Sequence, residues 1–158
     1  MMAISQVYEG NDAALELVSA LHKSVFEEQG EEGWTKDEFK SLLTNPVYEC
    51  YLYHIDDEPF GLSLISNICG EMEIITVGII PTKRHQGLGR SIIDALLTHA
   101  TASDISNIHI EVRADNVAAL QLYITSGFTD IGRRADYYTL QDKSKIDAIL
   151  MTYDCAIQ

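Results

Sequence analysis

The chain has 158 residues, 46% of them hydrophobic and 22% charged, a balance that suits one folded domain with its own core and excludes a disordered chain. Eleven Lys and Arg against 24 Asp and Glu give a net charge of −13. That argues against direct binding of DNA or RNA; it is compatible with a cationic partner such as a basic peptide, or simply with solubility.

No apolar run approaches the roughly 20 residues of a membrane helix. The first residues lack the charged and apolar regions of a signal peptide, so a cytoplasmic protein is expected. Cys50, Cys69 and Cys155 are odd in number and have no metal-type spacing. They read as small buried hydrophobes in a reducing compartment. No repeat or linker interrupts the chain, so residues 1–158 are read as a single domain.

In chain order, residues 2–8 read as a short strand. Asn11 or Asp12 then caps a helix carrying Leu15, Val18, Leu21 and Val25 at helical spacing. Glu27–Gly33 is polar and glycine-containing and reads as a loop. Thr35-Lys36-Asp37-Glu38 has the form of a capping box ahead of Phe39, Leu42 and Leu43, and Asn45-Pro46 ends that helix. Residues 47–55 and 59–68 predict two strands joined by a turn at Asp56-Asp57-Glu58, and Gly70 separates them from a third, Glu71–Ile80. Gly87–Ala102 reads as a helix with Leu88, Ile92, Ala95, Leu96 and His99 along one face. Residues 107–113 alternate as a half-buried strand. Asp115 or Asn116 caps a short helix through Ser126, and residues 128–134 and 146–154 close the sheet. This order predicts an α+β fold with antiparallel outer strands and one parallel pair near the middle.

Arg84-His85-Gln86-Gly87-Leu88-Gly89-Arg90 lies between a strand and a helix. A helix N-terminus offers unpaired N–H groups and partial positive charge, and glycines let an anion approach the backbone. Taken alone, such a turn could merely begin a helix. It is neither the dinucleotide pattern G-x-G-x-x-G nor a Walker loop.

Val77-Gly78-Ile79-Ile80-Pro81 followed by Arg84-x-x-Gly87-x-Gly89 resembles the acetyl-CoA motif [Q/R]-x-x-G-x-[G/A] of the GCN5-related N-acetyltransferases (GNAT). The resemblance implies the GNAT fold: a mixed central sheet of six to seven strands, helices on both faces, and a splayed parallel strand pair. It also implies acetyl-CoA as co-substrate. Val77, Gly78 and Ile79 would contact the pantetheine and the carbonyl, with an N–H at Ile79 facing the oxyanion. Arg84, His85, Gln86, Gly87, Leu88, Gly89 and Arg90 would hold the pyrophosphate. His85 departs from the Arg or Lys common in that family.

Glu111-Val112-Arg113-x-x-Asn116-x-x-Ala119-x-x-Leu122-Tyr123-x-x-x-Gly127-Phe128, with Arg134, Tyr137-Tyr138 and Asp147–Met151, most resembles the ribosomal-protein-alanine N-acetyltransferases. These residues alone leave Glu111 open to a plain ion pair with Arg113, and Tyr123 to an ordinary core role. The resemblance implies Glu111 as general base and Tyr123 as general acid in direct transfer, with Asn116 touching the cofactor. It also implies that Glu27–Trp34 and Asp136–Lys145 wall the acceptor site. The acidic Glu27, Glu28, Glu31 and Glu32 would favour a basic peptide N-terminus. Acetylation of a small amine or another protein, and a non-catalytic acetyl-CoA-binding module, are the alternatives. The five histidines show no ligand spacing, so no metal is expected. The sequence leaves the oligomeric state open.

Overall fold

The structure, a computed structural model, describes residues 1–157. In chain order the elements are β1 (Met2–Val7), α1 (Asp12–Phe26), α2 (Lys36–Leu43), β2 (Tyr48–Ile55), β3 (Glu58–Ile68), β4 (Glu71–Ile79), α3 (Leu88–Ala102), β5 (Asn107–Arg113), α4 (Val117–Thr125), β6 (Thr129–Thr139) and β7 (Lys145–Asp154). The seven strands form one sheet in the order β1-β2-β3-β4-β5-β7-β6. Every neighbouring pair is antiparallel except β4 and β5, which run parallel. The expected α+β architecture and its central parallel pair are therefore present.

Local signals explain the element ends. Asn11 caps α1 through its side-chain oxygen, and Thr35 with Glu38 forms both hydrogen bonds of a capping box at the start of α2. The β2–β3 turn is Asp56-Asp57 and the β3–β4 turn is Cys69-Gly70, with positive φ at all four residues. Two-residue hairpins need this backbone to match the strand twist. The second turn corrects the reading of the cysteines: only Cys50 is buried, Cys69 is exposed in its turn, and Cys155 is half-buried.

Each face of the sheet carries a core. Leu15, Val18 and Leu21 of α1 and Phe39 of α2 pack with Cys50, Leu52, Leu62 and Leu64. On the other face Ile92, Ile93 and Leu96 of α3 and Tyr123 of α4 pack with Met72, Ile74, Ile108 and Ile110. Alternating side chains serve both cores at once, which is why β3 is buried from Phe60 through Ser66.

Two irregularities shape the middle and the edge. In β4, Ile65 faces Ile74 but Leu64 faces Thr76, so Ile75 is an extra residue, a β-bulge. The parallel ladder with β5 stops at Ile74–Ile110. Beyond it, Thr76–Ile79 keep β3 on one edge and have no strand on the other. The second irregularity is in β6, which runs to Thr139 rather than stopping near residue 134. Its pairing with β7 jumps from Arg134–Ala148 to Tyr138–Ile146, with Asp136 at φ 52° inside the bulge. Being an edge strand and largely exposed, it lacks the apolar alternation that marks a strand in sequence. The segment expected as a loop, 136–145, narrows to the turn at 140–144.

Candidate active site

The gap between β4 and β5 opens into two adjoining cavities. One, of about 340 Å³, is lined by Val25 and Phe26 of α1, Val77–Ile79 of β4, Arg84, His85, Gly89, Ile92 and Ile93 around the start of α3, and residues of α4. The other, of about 330 Å³, lies between α1, the segment after it, and β5, and includes Glu31, Glu32, Trp34, Thr76, Glu111, Arg113 and Tyr138. Phe26, Gln29, Val77, Asn116, Ala119 and Tyr123 border both.

At the start of α3, His85 and Gly87 take left-handed conformations at φ 61° and 78°. Gly87 is the N-cap, and the first bond of the helix runs from the Ser91 N–H to the Gly87 carbonyl. The N–H groups of Leu88, Gly89 and Arg90 precede it and have no acceptor within the helix. This is a backbone nest suited to a phosphate. A Cβ on Gly89 would lie 3.2 Å from Leu122 Cδ2, so this glycine also lets α3 sit close to α4.

The arginines of this loop are engaged by protein groups. Arg84 donates through Nε to the Ile79 carbonyl (3.1 Å) and through Nη1 to Glu28 (3.2 Å). Arg90 donates to Asp94 (2.9 Å) and to the Thr125 carbonyl (3.4 Å). Gln86 reaches the Thr82 carbonyl. Of the seven loop residues, Arg84, His85 and Gly89 line the cavity. Gly78 has a packing duty too, since a Cβ there would stand 2.6 Å from Val25 Cγ1.

Glu111 of β5 borders the second cavity and also a third, of about 320 Å³, that Arg134 borders with it; its side chain is 19% exposed. It pairs with Arg134 Nε at 3.0 Å, not with Arg113. The Arg134 guanidinium also lies over the Tyr137 ring. Tyr138 donates its hydroxyl to the Glu111 carbonyl at 3.1 Å. The Glu111 carboxylate pushes the Tyr137 phenol pKa upward. Tyr123 is 4% exposed, packs edge-on against Phe128, and has its phenol pushed up by burial. Asn116 caps α4 by accepting from the Ala119 N–H and borders both cavities as well.

Sequence reasoning missed the residues that tie the walls together. Arg113, its side chain 9% exposed, donates to the Gln29 carbonyl (2.7 Å) and to Asp115 (2.8 Å), and lies 3.5 Å from Glu31. Arg113 holds the Asp115 carboxyl below its usual range, whereas burial chiefly raises that of Glu31. The Gln141 N–H donates to the Gly30 carbonyl (2.9 Å), joining the β6–β7 turn to the segment after α1. His22 has a sequence signal of its own, a polar residue inside the apolar stripe of α1. Among the described residues no group of His, Cys, Asp and Glu could hold a metal ion. No helix among them is long and apolar enough to cross a membrane.

A parallel strand pair parts over a helix-start nest, with a carboxylate and a phenol bordering the gap, which is the frame of the GNAT fold. The chain belongs to that family: the Acetyltransferase (GNAT) family matches residues 8–128. It is similar to the [Ribosomal protein bS18]-alanine N-acetyltransferase of Haemophilus ducreyi, at 29% identity over 115 residues, 71% of this chain and 79% of that protein. The Escherichia coli K12 protein of the same name is 32% identical over 84 residues, 53% of this chain and 56% of its own length. In fold, the chain resembles the crystal structure of the ribosomal-protein-S18-alanine N-acetyltransferase from Escherichia coli (TM-score 0.86, 22% identity, 100% and 96% of the two chains). It also resembles yncA from Salmonella typhimurium, solved with its cofactor acetyl-CoA (TM-score 0.79, 15% identity, 99% and 95%).

Proposed function

We propose that this chain transfers the acetyl group of acetyl-CoA to the N-terminal amine of a peptide, with an alanine terminus of a ribosomal protein as its acceptor. The observation that carries the reading is the placement of Glu111 and Tyr123 on one continuous opening between β4 and β5. The nest at Gly87–Arg90 suits the pyrophosphate, and the unpartnered edge of Thr76–Ile79 suits the amide-bearing pantetheine arm. Backbone N–H groups supply most of that binding, since the Arg84 and Arg90 side chains are already paired with protein groups.

An N-terminal amine has a pKa of about 8 and is largely protonated at neutral pH. Glu111 accepts a proton, directly or through a water, and the freed nitrogen lone pair attacks the acetyl carbonyl carbon. The C–N bond forms, and the backbone N–H of Ile79 stabilises the oxyanion. Collapse breaks the C–S bond, Tyr123 donates its proton to the departing thiolate, and the second proton, lost from the nitrogen after attack, restores the Tyr123 phenol and leaves the neutral amide. The cysteines take no part, so no acyl-enzyme forms.

The test is thiol release across alanine-initiated peptides and small amines, with Glu111→Gln and Tyr123→Phe beside the parent. Each variant is expected to lose about 100-fold or more in kcat, as removal of a general acid or base does. Full activity in both would overturn the assignment. A clear preference for small amines would move the chain to another acceptor class.

A further inference from the structure

His22 lies on α1, 3% exposed, and borders the cavity that holds Glu111. Its Nδ1 accepts from the backbone N–H of Trp34 at 3.0 Å. An accepting nitrogen carries no proton, so the proton sits on Nε2 and donates to Thr76 Oγ1 at 3.3 Å. The ring stacks on Trp34 with centroids 4.9 Å apart and an interplanar angle of 23°. One turn earlier, Ser19 donates to the Trp34 carbonyl at 2.7 Å. Both backbone groups of Trp34 are thus held by α1. The preceding Gly33 lies so near the helix that a Cβ would meet Lys23 Cα at 2.6 Å.

Packing alone does not call for this arrangement. An apolar side chain would fill the position without burying two polar nitrogens, and such groups are kept only where their hydrogen bonds are made. What the imidazole adds is a link of fixed length between three parts: α1, the segment carrying Glu31, Glu32 and Trp34, and Thr76 of β4. Thr76 follows the bulge at Ile75 and lies where β4 has left β5.

We infer that His22 is a positioning residue for the acceptor. By joining Trp34 to Thr76 it sets the width of the opening between the acceptor wall and β4, and so the path along which the amine meets the acetyl carbonyl. The inference rests on reading the 330 Å³ cavity as the acceptor site.

The experiment compares His22→Leu, His22→Asn, His22→Gln and Thr76→Val in steady-state transfer to an alanine-initiated basic peptide. His22→Leu leaves the Trp34 N–H unpaired and is expected to raise the peptide KM about tenfold while leaving the acetyl-CoA KM unchanged. His22→Asn places a carbonyl oxygen where Nδ1 stands and should recover most of that loss. His22→Gln reaches only toward Thr76 and should not. Thr76→Val should raise the peptide KM alone. Trp34 is the only tryptophan of the chain, so its fluorescence reports the wall without catalysis. Peptide added to the CoA-saturated protein should shift the emission in the parent and in His22→Asn, but not in His22→Leu.

An unchanged peptide KM in His22→Leu would overturn the inference. So would a parallel rise in both KM values with His22→Asn no better than His22→Leu, the mark of packing alone. If the parent transfers acetyl groups to no peptide, the acceptor reading itself fails. If the parent is active and the variants are unmoved, only the role of His22 falls.

Discussion

Glu111 already has a cation at 3.0 Å, the guanidinium of Arg134. In the proposed reaction an arriving ammonium would compete with that arginine for the same carboxylate, and Arg134, 56% exposed, has room to yield. The four acidic residues after α1 are not equivalent either. Glu28 is spent on Arg84 and Glu31 on Arg113, while Glu32 borders the cavity and forms no ion pair among the described residues. Glu32→Lys is therefore expected to lower kcat/KM for a basic peptide about fivefold at low ionic strength, with the loss shrinking as salt screens it. Glu28→Lys should instead act through Arg84 and raise the acetyl-CoA KM. Both are read from initial rates at two salt concentrations.

At the scale of elements, the approach of α1 to β4 decides the shape of the cofactor cavity. Gly78 permits it, because any Cβ there strikes Val25. Gly78→Ala should overpack this contact and cost about 1–3 kcal/mol. Val25→Ala in the same chain should recover part of that loss by removing the colliding methyls, as thermal denaturation of the single and double variants would show. Most element starts and turns were legible because their signals are local: the Thr35–Glu38 box, the Asn116 cap, the Asp56-Asp57 turn. The far half of β6 was not, because a solvated edge strand carries no apolar period and its bulge at Asp136 breaks the register. The bulge in β4 was not legible either, because Ile74 and Ile75 face opposite cores as plain alternation requires, and only the contact of the next residue, Thr76, with α1 reveals the break.

For the whole molecule, the legible part of the site was the part carried by contiguous motifs. Glu111 and Tyr123 were named from the chain alone, and they do border one opening. The ties between walls were not legible, because each joins residues far apart in sequence: His22 with Thr76, Arg113 with Gln29, Gly30 with Gln141. One of them couples the site to global stability. Burial lowers the His22 pKa from 6.5 to about 4. The unfolded chain therefore takes up a proton at this residue before the folded one does. Its effect is absent well above pH 6.5, and stability falls as pH drops from there toward 4, by roughly 3 kcal/mol from this group when fully developed. Denaturant melts at pH 7 and pH 4.5 should show a smaller acid loss in His22→Leu than in the parent.

The single extra residue at Ile75 also fixes the phase of everything after it. Before the bulge, even-numbered side chains of β4, Met72 and Ile74, join the core beneath α3; after it, even-numbered Thr76 reaches His22 of α1, and Gly78 faces Val25. Removing Ile75 would take out the bulge and set Thr76 directly after Ile74, so plain alternation would still turn Thr76 and Gly78 toward α1 and Val77 toward the core beneath α3. Removing Val77 instead would turn over Gly78 and Ile79. In this strand the place of a deletion matters as much as the residue lost: loss of Val77 should harm the fold more than loss of Ile75, as thermal denaturation of the two deletion variants would show.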